Sequence, residues 1–423
     1  MQPFVDLIVF IGCVETLFLL LYAARYYIFT FVVLKAKSSS SPKIDNHSSY
    51  SFVTVLLPLY NEPNVVDRLL KFCTSFDFSP YEVIVIDDST DETTEKLAQW
   101  KDHPKIKIIH RNSRDGWKGG ALNAGLEHIN PESTHTIILD ADFVPPADLL
   151  QRFLASFTND QTVAVQGYQL HDLNAEENWV TKGIRIMYSV NNMVELSAKD
   201  KLGLLLPLTG SVYMVRTDIL RKMRFNGDLT EDWNLTLRLY EAGYKVVYDS
   251  TLTASAECSN TIMKFLRQTS RWAEGHTRDF RKHFWKILRS RFFTVREKFE
   301  FLFQGCLYLN SIPVVALTIG GFLALPSLTY SLSLPSTHLS LLFTVINASS
   351  LIFAIIAALV REGMIKDFSK MPYTLILGYL TTPIIAYASL KGLLTGHGYF
   401  HRTYKTGKIT KIPVLRRLRK RFK

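Results

Sequence analysis

Four short stretches of the sequence set reactive side chains at spacings that a reaction can use. Asp140 and Asp142 flank Ala141 directly after an apolar run. Two carboxylates one residue apart, in the turn that ends a strand, can both reach one hard cation and leave the rest of its shell to water and phosphates. Alone, this D-x-D is a weak signal. Arg114-Asp115-Gly116-Trp117-Lys118-Gly119-Gly120-Ala121-Leu122-Asn123 sets a lysine among glycines ahead of a helical pattern. Backbone amides, a helix N-terminus and the ammonium can approach an anion there. The spacing is neither that of a P-loop nor that of a dinucleotide fingerprint. On the plainer reading the glycines only make a tight strand-to-helix turn. Glu231 and Asp232 follow Thr230 at the start of a helix ending near Gly243. A carboxylate at such a rim can act as a general base. More plainly, Thr230 caps the helix and the acids answer its dipole. Gln268, Arg271 and Trp272 form Q-x-x-R-W and share one helix face. An arginine there can stabilise a departing diphosphate and an indole can underlie a sugar ring. The plainer reading packs Trp272 into a core.

The elements around these residues predict an α/β domain. Apolar, β-branched runs at Phe52–Leu59, Glu82–Asp87, Lys105–His110, Thr134–Leu139 and Thr162–Val165 read as strands. Helical patterns lie between them at Asn64–Ser75, Asp91–Trp100, Gly119–His128 and Pro146–Thr158. Near-continuous apolar strands alternating with helices imply a mostly parallel sheet covered on both faces. Ligands of such sheets sit at the carboxyl ends of the strands. Tyr60, Asn61 and Glu62, then Asp87 and Asp88, then Asp140 and Asp142 stand at three such ends. They are expected to converge on one pocket.

The flanks differ in kind. Of 423 residues 47% are hydrophobic, and 7–34, 299–328, 339–360 and 372–395 are long and mostly apolar. A bilayer core needs about 20 apolar residues in helix, so residues 1–36 read as an uncleaved transmembrane anchor. Within it Arg25 is expected to snorkel and Glu15 to face other helices. A Ser-rich linker (37–51) leads to the α/β domain (52–278). Asp279–Leu302 mixes aromatics with Arg and Lys, as an interfacial helix would. Membrane segments (303–395) and a basic tail (396–423) follow. Lys35, Lys37 and Lys43 after the anchor place the α/β domain in the cytoplasm. Three later crossings would put the basic tail outside, against its charge. One segment is therefore expected to be interfacial or re-entrant, with 372–395 favoured because Pro372, Gly378 and Pro383 interrupt it.

The net charge of +11 is concentrated in 261–298 and in the tail. Both abut apolar spans, which points to anionic membrane lipids and not to nucleic acid. Cys13, Cys73, Cys258 and Cys306 are scattered and read as buried free thiols.

Read in order, P-x-Y-N-E (Pro58, Tyr60, Asn61, Glu62), D-D-S-T-D (Asp87–Asp91), R-x-G-x-K-G-G-A-L-N, D-A-D, T-G-S (Thr209–Ser211), T-E-D and Q-x-x-R-W resemble a membrane-embedded inverting glycosyltransferase of family 2. The branch is that of cellulose-synthase-like and mannan-synthase-like enzymes, and the match covers roughly residues 50–290. The resemblance implies a GT-A catalytic domain. It implies that Pro58, Tyr60, Glu62, Asp87, Asp88, Lys118, Asp140, Gln268 and Arg271 hold a UDP- or GDP-hexose. It gives Asp140 and Asp142 to Mg or Mn, the general base to Asp232 with Glu231 beside it, and the leaving diphosphate to Arg271. Trp272, Thr209 and Gly210 would meet a glycan or lipid acceptor. Phe400-His401-Arg402-Thr403-Tyr404-Lys405 resembles the F-x-V-T-x-K gating loop of cellulose synthases, with Phe400, Thr403 and Lys405 kept and Arg402 replacing the Val. Leu59 and the Tyr168–Leu170 part of Gln166–Asn174 also depart from the family pattern. The implied activity is processive β-glycan synthesis with export. Single transfer to a membrane lipid is the rival. A non-catalytic scaffold would be expected to lack a carboxylate, and none is missing.

Overall fold

The computed structural model describes residues 2–36, 51–328, 334–396, 398 and 402–410, with side chains described except at 2–5, 321 and 324–340. Seven strands form one sheet: β1 (Phe52–Leu59), β2 (Tyr81–Asp87), β3 (Ile106–His110), β4 (Ser133–Ile138), β5 (Thr162–Leu170), β6 (Tyr213–Arg216) and β7 (Lys245–Ser255). Their spatial order is β3-β2-β1-β4-β6-β5-β7. The first four are parallel, β6 runs antiparallel to both neighbours, and β7 is parallel to β5. Four of the expected strands hold within a residue or so. β5 runs on to Leu170 because every residue of the strand is buried on both faces. β6 and β7 carry only the short apolar runs Val212–Val215 and Val246–Tyr248, which the reading by pattern passed over.

Alternate residues of β1 enter opposite cores. Leu56 joins Ile86, Leu122, Leu126, Tyr213 and Trp233. Val55 and Leu57 join Val66, Leu69, Leu150 and Phe153 on the other face. Period-two side chains with both faces covered make a doubly buried sheet. The strand ends are therefore fixed from both sides, and the loops that leave them inherit that rigidity.

The boundary expected at 278/279 falls inside one unbroken helix, Ile262–Arg289. Arg278, Asp279, Phe280, His283 and Ile287 are buried, so one face of this part packs on the α/β domain. Thr230 donates to Asp279 at 2.9 Å and Asn234 donates to it at 3.0 Å, which binds the helix to the start of Glu231–Glu241. Exposed Trp285, Phe292, Val295 and Phe299 mark where the interfacial composition comes from. Here a second helix, Val295–Leu309, begins.

Among the described residues three helices are long and apolar enough to cross a membrane, Asp6–Lys35, Leu341–Glu362 and Ile365–Leu394, or four if a bent pair counts as one span. Met371–Leu394 is continuous through Pro383, contrary to the expectation of an interrupted segment. The broken pair is instead Val295–Leu309 with Ser311–Gly320, bent by 42°. Arg25 does not snorkel. It donates to Glu195 at 2.9 Å and Glu300 at 2.7 Å, and Lys199 reaches the same two acids at 3.1 Å. Two acids and two bases satisfy one another where the N-terminal helix meets the α/β domain, and water is not needed. Glu15 is buried beside Asn310, facing neighbouring helices as expected. All four cysteines are free; Cys73 and Cys258 are buried as expected, but Cys306 is half-buried and Cys13 is exposed on the N-terminal helix.

Candidate active site

The chemistry gathers at the carboxyl ends of β1 and β4 and at the amino end of β6, which runs the other way. Asp140 follows β4, and its backbone N–H donates to Ser211 Oγ at 2.8 Å. That bond fastens the D-A-D turn to the T-G-S loop. Gln166 of β5 donates to the carbonyls of Ser211 and Val212, and its Oε1 accepts from the Thr209 amide at 2.8 Å. Gln169 donates to Thr209 Oγ1 at 3.0 Å. Thr209 thus spends its polar groups on the loop's own support. Gly210 takes φ +87°, and a Cβ there would stand 3.5 Å from Asp232 Oδ2. The glycine brings this loop against the Asp232 carboxyl without a side chain between them.

Lys118 is the hub. Its ammonium lies 2.6 Å from Asp140, 3.3 Å from Glu231, and donates to the Gly210 carbonyl at 2.6 Å. Burial alone would lower its pKa, but Asp140, Glu231 and Asp232 outweigh it and hold the ammonium charged above its usual range. Burial, then the Glu231 charge, pushes the Asp232 carboxyl up to about 7, with Lys118 and Arg271 opposing. Two neighbouring acids do not both ionise freely in a poorly solvated site, and a carboxyl brought to neutral pH is suited to exchange a proton. Glu231 is itself buried and paired with Lys118. Its charge is one of the two causes that raise the Asp232 carboxyl.

Thr230 does not cap its helix through its side chain; its hydroxyl goes to Asp279. Arg271 donates to the Leu229 carbonyl at 3.1 Å, which docks the Q-x-x-R-W helix on the loop carrying Asp232. Gln268 accepts from Ser259 Oγ at 2.8 Å. Trp272 is half-buried, leaving part of the indole free, and is not the core residue of the plainer reading.

The expected cradle of glycines takes a different form. Gly116 has φ +70°, while a Cβ at Gly119 would stand 2.1 Å from the Asn226 carbonyl and one at Gly120 1.9 Å from that of Asp115. These glycines let the helix Trp117–Leu126 pack on its neighbours. They do not aim backbone at an anion, and the charge offered there is Lys118.

At the β1 and β2 ends the acids are already engaged. Asp87 is fully buried and accepts from the Ser89 amide, Thr94 Oγ1 and His110 Nδ1. It shapes the loop and presents no oxygen to a ligand, so its expected nucleotide contact is not supported. Asp88 is held bidentately by Arg111 at 2.6 and 2.5 Å. Tyr60 lies under Arg114, with the guanidinium 3.3 Å from the ring centroid. Pro58 sits inside β1 opposite Ile86, short of the ligand edge. Glu62 is bound by Arg402 at 3.2 and 3.0 Å, and burial still pushes it up to about 7. Asp142 is buried. It accepts from the Glu257 amide at 2.9 Å and from Lys405 at 2.7 Å, and that lysine holds it below the usual carboxylate range despite the burial. Thr403 is half-buried between these contacts. Phe400 lies outside the described residues. Among the described residues no group of three or more His, Cys, Asp or Glu side chains is gathered to hold a metal ion.

The structure therefore brings together Lys118, Asp140, Gly210, Glu231, Asp232 and Arg271, and, beside them, Glu62, Asp142, Arg402 and Lys405. Sequence reading missed Arg111 and Glu257, and it singled out the Gln166–Asn174 stretch without giving Gln166 or Gln169 this supporting role. Of the two missed, Arg111 had a signal, a basic residue following a strand whose neighbour ends in two acids.

Residues 54–223 match the family model described as Glycosyl transferase family 2. The chain is 28% identical over 283 residues to probable glucomannan 4-beta-mannosyltransferase 10 of Arabidopsis thaliana, covering 64% of this chain and 51% of that protein. It is 26% identical over 392 residues to probable glucomannan 4-beta-mannosyltransferase 7 of Oryza sativa subsp. japonica, covering 88% of this chain and 65% of that protein. The chain thus spans between half and two thirds of the length of these curated relatives. A mannosyltransferase of Pyrobaculum calidifontis, solved in complex with GDP-Man and Mn2+, superposes with a TM-score of 0.60 at 18% identity, covering 92% of this chain and 98% of that one. That likeness shows the fold, and the sheet order and strand-end site agree with the GT-A arrangement.

Proposed function

We propose that this chain, which carries a glycosyl transferase family 2 domain over residues 54–223, transfers a hexose from a nucleotide sugar to the end of a growing β-linked glycan of the mannan class. GDP-mannose is the donor to try first, since the relatives are mannosyltransferases. The observation that carries the reading is Asp232. It is a carboxyl raised to about 7, set against Gly210 and within the field of Lys118 and Arg271.

In this reading Asp232 takes the proton of the acceptor hydroxyl as its oxygen bonds to the anomeric carbon. The bond from that carbon to the diphosphate oxygen breaks in the same displacement. The leaving group departs on the opposite face, so an α-linked donor gives a β-linked product. Lys118 and Arg271 stand where they offset the charge that grows on the leaving diphosphate. Trp272, half-buried on the same helix as Arg271, would offer an apolar face to the acceptor sugar.

Asp140 and Asp142 suit a divalent cation in one respect: each carries a lysine at salt-bridge distance, so the site demands positive charge at both carboxylates. Two protein carboxylates fit Mg or Mn bound chiefly through water and phosphate. When bound, the ion would neutralise diphosphate charge. The α/β domain would face the cytoplasm, and the flanking helices would give the glycan a way out.

The test is product size. Membranes containing the protein are incubated with labelled GDP-mannose and UDP-glucose plus Mn2+. The reading expects label from one donor in high-mass, water-phase or insoluble material, lost in Asp232→Asn. Label confined to the organic phase would sink the polymer reading and leave single transfer to a lipid.

A further inference from the structure

Glu257 lies just past the end of β7 and is 2% exposed. A buried carboxylate needs donors for both oxygens, and here they come from opposite ends of the chain. Oε1 accepts from Arg68 at 2.8 Å. Oε2 accepts from the Thr406 amide at 3.0 Å, Thr406 Oγ1 at 3.2 Å and the Gly407 amide at 3.3 Å. The Glu257 carbonyl accepts from Lys405 at 3.3 Å, and its amide donates to Asp142 at 2.9 Å. Arg68 closes the ring by donating to the Gly407 carbonyl at 3.1 Å. Asn64 donates to Tyr404 Oη at 2.6 Å and to the Lys405 carbonyl at 3.1 Å.

The segment turns sharply to make these bonds. Gly407 has φ +74°, and a Cβ there would stand 2.6 Å from the Asn64 carbonyl. Only glycine enters that turn without strain. The result of the turn is the placement of two cations. Lys405 reaches Asp142 at 2.7 Å and Arg402 reaches Glu62 at 3.0 Å.

We propose that Glu257 is the latch of the 402–410 segment: a positioning residue whose buried carboxylate seats the Thr406-Gly407 turn, so that Lys405 and Arg402 cover the site's carboxylates before any donor arrives. The consequence for the donor rests on the glycosyltransferase reading. The latch itself does not, since every contact that makes it is between parts of this chain.

The test is trypsin cleavage of the purified, ligand-free full chain, with the bonds after Arg402, Lys405 and Lys408 followed by mass spectrometry. A bond in a seated segment is cut only when the segment opens. The bonds after Arg402 and Lys405 should be cut slowly in the parent protein. Glu257→Gln should speed both by about tenfold, the scale of losing charge-assisted bonds. Gly407→Ala should do the same from the other side of the contact, and it decides the matter if Glu257→Gln fails to elute as a folded protein. Thr406→Val should accelerate cleavage in the parent and add almost nothing on top of Glu257→Gln, because both remove the same contact. Unchanged rates in folded Glu257→Gln and Gly407→Ala, or fully additive effects of Thr406→Val, would overturn the latch. None of these measurements uses a nucleotide sugar, so failure of the donor reading shows separately, as absent transfer by the parent protein.

Discussion

At Asp140 the counter-charge comes from inside the catalytic domain: Lys118, 2.6 Å away, sits on the helix that follows β3. At Asp142, two residues on, it comes from Lys405, 2.7 Å away but from the far end of the chain. The same contrast separates Glu231, balanced by Lys118, from Glu62, balanced by Arg402. One half of the site is complete within the sheet and its helices. The other is complete only when the tail is seated. The difference teaches that the site's carboxylates are balanced by two separable charge networks; on the proposed function one serves catalysis and the other donor access, and mutations should separate them.

The largest separation should come at Asp232. Asp232→Asn removes the proton acceptor and keeps the shape, so transfer should fall by about a thousandfold, within the usual range for a general base. Cleavage of the tail by trypsin should not change. If the tail also loosened, the two halves would be one network and the contrast would fail.

Lys118→Met comes next. Asp140, Glu231 and Asp232 would lose the ammonium that offsets them, and a diphosphate would lose a partner. Transfer at neutral pH should drop by about a hundredfold, the scale of removing one preorganised donor. The acid limb of the kcat profile should also move to higher pH, since Lys118 lowers the Asp232 pKa. A drop in kcat with an unmoved limb would leave Lys118 a ligand only.

In the parent protein that limb reports Asp232 directly. The carboxyl must be ionised to take a proton, and it is raised to about 7. Below pH 7 kcat should fall about tenfold per unit. The stability sign is opposite. A folded-state pKa raised above the unfolded one favours the neutral acid in the fold. That contribution is full below the unfolded pKa and is lost as pH rises through about 7. Asp232→Asn should therefore raise Tm more at pH 8 than at pH 6. A limb near pH 4 would mean that the base is unperturbed and Glu231 does not tune it.

What could be read from the sequence divides along the same line. Lys118, Asp140, Glu231, Asp232 and Arg271 stand in short motifs whose order carries the family resemblance, and that resemblance, more than the apolar periodicity of their elements, brought them together. Even there the plain motif misled: the glycines around Lys118 serve packing, and Asp87 serves its own loop. The second half was legible only as fragments. The tail motif was visible, but its partner Glu257 sits in an unremarkable A-E-C-S stretch, and contacts between positions 150 apart leave no local pattern. β6 was passed over as a short apolar run, four residues whose strand character comes from pairing with β4 and β5. The bent helix pair breaks at 309–311 ahead of Pro313, whose ring excludes a helical bond to the Leu309 carbonyl four residues back, a signal the sequence carried and the reading passed over, while Pro383 bends nothing enough to break its helix.

Lys405→Met makes the finest cut. It should leave the seat intact, because Thr406 and Gly407 keep their bonds to Glu257, and cleavage after Arg402 should stay slow. Asp142 would lose its ammonium while remaining buried beside the Glu257 amide. An uncompensated buried carboxylate is costly, and a divalent cation would relieve that cost. Mn2+ binding without nucleotide, read by loss of the free-ion EPR signal, should therefore tighten by several-fold in Lys405→Met and not in Lys408→Met, whose side chain is 60% exposed. Tighter Mn2+ binding with a still-seated tail would make Lys405 a stand-in for the ion at Asp142. Unchanged binding would mean that any ion is held without Asp142, and the tail's two cations would then serve the seating of the chain and nothing else.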